Sequence, residues 1–219
     1  RLPGRLREKR VYPKAAYLAF HGGTGEGGVY QGLLESLGIP YSPPSYESSA
    51  VALNKLLTKA VFEKQGIPCL AGTGVMRQEF LAAPEQSTQE LVSTHSLPVI
   101  VKPAHLGSSI GIKVAKSEIE LEKALRESFF MDNVVLIEPF VKKFVEYNIS
   151  VRSNGDEVEL SAIEKPVSKD EILSFADKYE RGGKKSGGDG MASLDREVPA
   201  KIDEKLGEKI QEIAQRAYR

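Results

Sequence analysis

Short apolar runs bounded by glycine and proline alternate with amphipathic stretches, the rhythm of a mixed α/β (α+β) chain. Residues 15–21 form an apolar run that ends in a glycine cluster at Gly22, Gly23, Gly25, Gly27 and Gly28, which predicts a buried strand, a loop and then a helix over 31–37. Gly38 stops that helix, and 39–41 reads as a second strand. Tyr41, Ser42, Pro43, Pro44 and Ser45 make a rigid link and a candidate domain boundary. One helix is expected over 49–65, with Val51, Leu53, Leu56, Leu57, Ala60, Val61 and Phe62 as its apolar positions and Gly66 and Pro68 beyond its end. A strand is expected at 73–76, a polar helix at 85–95 and a clear strand at 99–102. A glycine- and serine-rich loop at 106–111 leads into a strand at 112–114. Ser117 and Glu120 have capping-box spacing at the start of a helix over 117–130. Strands at 134–138, 147–152 and 157–164 follow, the last two joined by the hairpin signal Asn154-Gly155. Residues 174–199 break the pattern with seven glycine, lysine and serine positions from Gly182 to Gly188. A loop that long is either disordered or functional. Glycine hinges and the flanking Phe175 and Tyr179 make a lid the sharper reading. Residues 200–219 place Ile202, Leu206, Ile210, Ile213 and Ala217 on one helical face.

Composition narrows the function classes. Apolar residues make up 41% and charged residues 27% of 219, so a packed core is expected rather than disorder. Lysine plus arginine equals aspartate plus glutamate, 30 against 30, which argues against a nucleic-acid binder. Any pull on a phosphate must therefore come from local placement. The single cysteine, Cys69, excludes an internal disulfide and a cysteine-built zinc site, and fits a reducing cytoplasm. No apolar run reaches the roughly 18 residues of a membrane helix. The chain opens on Arg1 and closes at Arg219 inside a helical pattern, so it is expected to be a piece truncated at both ends.

Three places carry candidate chemistry. Strand residue Lys102 precedes Gly107, Ser108, Ser109, Ile110 and Gly111, where backbone N–H groups and hydroxyls can converge on an anion beside a point positive charge. The order of glycine and lysine is not that of a Walker loop. The same residues also read as an ordinary turn beside a snorkelling lysine. In the second place, a strand edge at 134–138 beside Phe140 suits a flat adenine ring, and Glu138 or Glu146 could accept ribose hydroxyl protons. Without context the plainer reading, a solvated glutamate after an ordinary strand, is favoured. In the third, His21 beside the glycine cluster could orient a carboxylate, or be structural. Lys55 by itself reads as a surface lysine, and His95 and His105 read as surface histidines.

Three stretches then combine. One runs from Phe20-His21-Gly22-Gly23-Thr24-Gly25 to Ile39-Pro40-Tyr41. The next is Ser49-Ala50-Val51-Ala52-Leu53-Asn54-Lys55-Leu56-Leu57-Thr58-Lys59 followed by Gly66-Ile67-Pro68. The last is 97–114 continuing to Ile137-Glu138-Pro139-Phe140. In this order they resemble the D-alanine–D-alanine ligase family of ATP-grasp enzymes.

The resemblance implies an ATP-grasp fold after the remainder of an N-terminal Rossmann-like domain, divided as 1–48, 49–138 and 139–219, with a mobile loop at 174–199. It implies ATP-dependent joining of two D-alanines through an acyl phosphate, for peptidoglycan. Lys55 and Lys102 resemble the lysines on the ATP phosphates. Gly107, Ser108, Ser109 and Gly111 resemble the loop over the γ-phosphate, with Ser108 also near the dipeptide. Glu138, Phe140 and Val141 resemble the adenine stretch and Glu146 the ribose glutamate. His21 resembles the histidine near the first D-alanine, and Lys178 and Tyr179 the mobile loop's pair; tyrosine at 179 resembles the dipeptide-forming members. The first substrate's glutamate is expected before Arg1, and the ligands for Mg2+ (or Mn2+) beyond Arg219. A cytoplasmic homodimer is implied, with no nucleic acid and no membrane. The alternatives are a related ligase taking D-lactate or D-serine as second substrate, or a non-catalytic ATP-binding fragment.

Overall fold

The computed structural model describes residues 12–20, 22–42, 44–154, 157–166 and 196–219. Two compact units divide the chain, Arg1–Leu53 and Asn54–Arg219.

In the first unit, a short 3-10 turn at Gly23–Gly25 precedes helix α1 (Val29–Ser36), and α2 (Tyr46–Leu53) packs against it. Gly28 caps α1 with φ of 89°, and a Cβ there would lie 2.5 Å from the Tyr46 carbonyl oxygen, so only glycine fits. The strands expected at 15–21 and 39–41 reduce to one parallel bridge, Ala16 to Tyr41, and most of residues 12–20 are exposed. A parallel pair is stable when further strands and covering helices bury it, and the described residues of this unit supply neither.

The second unit begins where the single helix expected over 49–65 is broken. Asn54 is extended (φ −84°, ψ 106°), and its Oδ1 accepts the N–H groups of Leu56 (3.0 Å) and Leu57 (3.2 Å). Asparagine competes for backbone donors this way, so it starts helix α3 (Lys55–Lys64) instead of continuing α2. Strand β1 (Thr73–Met76) leads into α4 (Arg77–Ala82), which the polar pattern did not reveal, and α5 (Pro84–Thr94). Then come β2 (Val99–Pro103), β3 (Lys113–Ala115), α6 (Glu118–Ser128) and β4 (Val134–Pro139). Ser117 caps α6 as expected, accepting from Glu120 N–H, while the Glu120 carboxylate reaches back to Lys116 N–H, one residue before the cap.

The four strands form an antiparallel sheet in the order β1-β4-β2-β3. Its register separates the faces. Val75, Val99, Val101, Ala115, Val135 and Ile137 turn to one side and join Phe80, Leu91, Leu121 and Leu125 from α4, α5 and α6, and Phe129 just after α6, in the core. Val99, Val101, Val135 and Ile137 are fully buried, each contributing about 1.5–3 kcal/mol of burial free energy. Ile100, Lys102, Leu136, Glu138 and Gly74 point to the other side, where α3 lies: a Cβ on Gly74 would meet Leu56 at 2.6 Å.

The hairpin signal at 154–155 pairs β5 (Val151–Asn154) with β6 (Glu157–Leu160), both shorter than the pattern implied, with Arg152 opposite Glu159. Strands β7 (Lys165–Pro166) and β8 (Arg196–Glu197) pair separately. Helix α7 (Glu204–Tyr218) packs on β5 and β6. Its Arg216 donates to the carbonyls of Gln65 (2.6 Å) and Gly66 (3.1 Å), just past the end of α3.

Candidate functional site

The face of the sheet opposite the core is where the charged groups gather. Glu138 stands opposite Ile100 in the β2–β4 ladder, and Lys102 lies two residues along β2, on the same side of the pleat. Its Nζ reaches Glu138 Oε2 at 2.5 Å. Lys59 comes from α3, one turn after Lys55, and its Nζ reaches the other oxygen, Oε1, at 2.5 Å. The Glu138 side chain is only 6% exposed. Burial alone would push its carboxyl up; the hydrogen bonds and charges of Lys102 and Lys59 outweigh that and hold it below the usual carboxylate range.

Lys55 is not the surface residue its helical setting implied. Its backbone N–H donates to the Ala104 carbonyl (3.1 Å), and its Nζ to the carbonyls of Pro103 (3.0 Å) and Leu106 (2.5 Å). Burial first, and then the charge of Lys102, lower its pKa, against the pull of Asp132 and Glu138. Three ammonium groups, Lys55 and Lys59 from α3 and Lys102 from β2, thus gather near Glu138, an excess of positive charge in a chain with no net charge.

The loop after β2 starts from the segment that holds Lys55. Ser108 (φ 52°) and Ser109 (φ 61°) are both left-handed, a conformation that costs about 1–2 kcal/mol per non-glycine residue. Backbone bonds from Ile110 to Gly107 (3.0 Å) and Ile112 to Ser109 (3.3 Å) close the loop on itself. Gly111 has φ of 73°, and a Cβ there would sit 2.7 Å from Met131 Cε and 2.8 Å from Pro103 Cγ. Lys55 and the Gly107, Ser108, Ser109 and Gly111 loop therefore meet at the end of β2, as Lys102 and Glu138 meet along it.

Other expected residues are placed differently. β4 is an interior strand, paired with β1 and β2, so its flank is not an open edge. It leaves the ladder after Pro139: Phe140 N–H is taken by the Pro98 carbonyl at 3.1 Å, and Val141 is 39% exposed. Glu146 is half-buried. His21, Lys178 and Tyr179, and nearly all of the loop expected at 174–199, lie outside the described residues.

Both histidines read as surface residues are engaged. His95 is buried and its Nε2 lies 2.7 Å from Thr73 Oγ1. His105 is half-buried between Asp132 and Asn54. Lys59, Asn54 and Asp132 were not singled out from the sequence, and His105 was read only as a surface histidine. Lys59 carried a signal, the four-residue spacing from Lys55 on one helical face; the others meet only through the fold.

A family model described as the C-terminus of D-Ala–D-Ala ligase matches residues 61–219. The chain belongs to the D-alanine–D-alanine ligase family. A D-alanine–D-alanine ligase from Chlorobium chlorochromatii is 36% identical over 204 residues, 93% of this chain and 53% of the relative. One from Wolinella succinogenes is 38% identical over 172 residues, 78% of this chain and 47% of the relative. The solved D-alanine–D-alanine ligase from Coxiella burnetii superposes with a TM-score of 0.71 at 28% identity, covering 96% of this chain and 52% of that one. The fold is the ATP-grasp fold of D-alanine–D-alanine ligases, and the chain spans about half the length of the curated relatives it matches. Among the described residues no helix is long and apolar enough to cross a membrane.

Proposed function

We propose that this chain carries the nucleotide grip of an ATP-dependent ligase that joins two D-alanines into D-alanyl-D-alanine for peptidoglycan. The observation that carries the reading is Lys55 held beside a tight serine–glycine loop at the end of β2, with Lys59 and Lys102 gathered on Glu138. Phosphoryl transfer needs dispersed positive charge and donors around the γ-phosphate. Lys55, Lys102 and the backbone and hydroxyls of Gly107, Ser108, Ser109 and Gly111 supply them. Glu138, Phe140 and Val141 border the adenine in this reading, and Glu146 accepts from the ribose hydroxyls. His21, Ser108, Lys178 and Tyr179 serve the D-alanines and the acyl phosphate.

The reaction proceeds in two steps. A carboxylate oxygen of the first D-alanine attacks the γ-phosphorus and ADP leaves, giving an acyl phosphate. The amine of the second D-alanine attacks the acyl carbon, loses a proton and expels phosphate, leaving the amide. Water must be kept from the acyl phosphate, the task assigned to the loop that bears Lys178 and Tyr179. Mg2+ (or Mn2+) would add charge neutralisation on the phosphates. Among the described residues no group of three or more His, Cys, Asp or Glu side chains is placed to hold a metal, so no step is assigned to one. The reading carries with it a cytoplasmic homodimer, checked by light scattering and fractionation.

Phosphate release from ATP by the protein that carries this chain tests the reading. It should depend on D-alanine and be weak with L-alanine; equal rates with the two isomers would remove the substrate assignment. Product analysis with D-lactate and D-serine as competing acceptors separates the depsipeptide- and serine-forming relatives.

A further inference from the structure

His105 sits in a one-way chain of hydrogen bonds that joins three segments of the second unit. Its backbone N–H donates to Asp132 Oδ2 at 2.7 Å, and its Nδ1 lies 3.0 Å from Asp132 Oδ1. Asp132 Oδ1 also accepts Val134 N–H at 3.1 Å, just before β4. The ionised carboxylate only accepts, so Nδ1 carries a proton. On the other side of the ring, Nε2 lies 3.0 Å from Asn54 Nδ2.

The orientation of the Asn54 amide is not free. Its Oδ1 accepts from Leu56 and Leu57 N–H at the start of α3, so its NH2 group must face His105. Nε2 is therefore an acceptor and the ring is the neutral Nδ1–H tautomer. Donation runs from the helix N–H groups to Asn54, from Asn54 to His105, and from His105 to Asp132. Each bond polarises the next.

The residue after Asn54 is Lys55. Its backbone and ammonium groups are held by carbonyls at Pro103, Ala104 and Leu106, the segment that contains His105 and leads to the 107–111 loop. We propose that His105 is a positioning residue for the nucleotide: through Asn54 it registers the first turn of α3, and with it the Lys55 ammonium, against the serine–glycine loop. This rests on the nucleotide-binding reading above. His105 need not touch the ligand; it fixes where the lysine stands when the phosphates arrive, which limits the ordering cost of binding.

The test is ATP affinity by titration calorimetry, with thermal melting, for this chain and for His105→Ala, Lys55→Ala and the double variant. The expected result is a loss of affinity of about 5- to 20-fold for His105→Ala that largely disappears in the Lys55→Ala background, the non-additivity of residues acting as a unit. Unchanged affinity, or the same fold loss in both backgrounds, would overturn the proposal. Should His105→Ala fail to fold, Asn54→Ser decides. Serine keeps the helix cap but is too short to donate to Nε2. Melting should be retained and ATP affinity should fall several-fold; unaltered affinity overturns the positioning role. If the parent chain itself binds no ATP, the nucleotide reading fails with it. If the parent binds and both variants match it, only the role of His105 is lost.

Discussion

Lys102 meets Glu138 along a diagonal of the β2–β4 ladder, its Nζ 2.5 Å from Oε2, and the contact follows from strand register alone. A slip of one residue along β2 would turn Lys102 toward the core and Val99 and Val101 out of it. Lys59 completes the arrangement from α3, so one carboxylate is shared by two ammonium groups.

Removing the shared charge should destabilise the protein. Glu138→Gln leaves Lys59 and Lys102 facing one another without a counter-charge. Loss of one partner from a fully buried pair costs about 3–5 kcal/mol. The Lys102 side chain keeps 23% exposure, so a smaller loss of about 1–3 kcal/mol is expected, read from urea unfolding. A variant as stable as the parent would refute the role given to this carboxylate.

Lys102→Ala should weaken ATP binding at least about tenfold, equivalent to roughly 1.4 kcal/mol. Lys113→Ala provides the control. Lys113 lies opposite Val101, on the other side of the pleat from Lys102, and pairs with Glu127. Its loss should leave the dissociation constant unchanged. Equal affinities for the Lys102 variant and the parent would detach this lysine from the nucleotide.

Gly111→Ala combines two costs. The backbone is left-handed at φ 73°, and the new methyl would press on Met131 and Pro103. Melting should drop by an amount equivalent to about 1–3 kcal/mol, with the loop displaced. A fully stable variant would mean the loop can take another path.

Acid should unfold the protein through two named carboxyls. Burial raises the pKa of Asp132, but its hydrogen bonds from the His105 side chain and from the backbone N–H groups of His105 and Val134 outweigh this and lower it. Glu138 is lowered likewise by its lysines. Folded values below unfolded ones mean that the unfolded chain binds more protons in this range, so stability rises with pH there. The contribution is fully present above the ordinary values of 3.8 and 4.5 and is lost as pH falls through the lower native values. The urea midpoint should therefore be level from about pH 7 to 5 and fall below about pH 4. Asp132→Asn together with Glu138→Gln should flatten that fall; an unaltered slope would assign it to other groups.

Local order was legible from the residues themselves. β1, β2 and β4, the Ser117 cap and the stop at Gly38 follow from periodicity, capping chemistry and glycine, each acting within a few residues. The break at Asn54 was not, because apolar periodicity continues across it from Val51 to Phe62 and the side chain's competition for N–H groups decides the matter. The run at 15–20 failed as a strand for the opposite reason: its apolar character is local, but a strand needs partners.

Lys102, the serine–glycine loop and Glu138 stand out in the sequence as candidates because they flank strand patterns, whereas Lys55, on a helix, stands out only through the resemblance to the ligase family. That Glu138 is claimed by Lys59 and Lys102, and that Asn54 and Asp132 hold His105 between them, was settled by the tertiary fold. Such contacts join residues far apart in the chain, and only sheet register and helix packing fix which side chains come within hydrogen-bonding distance.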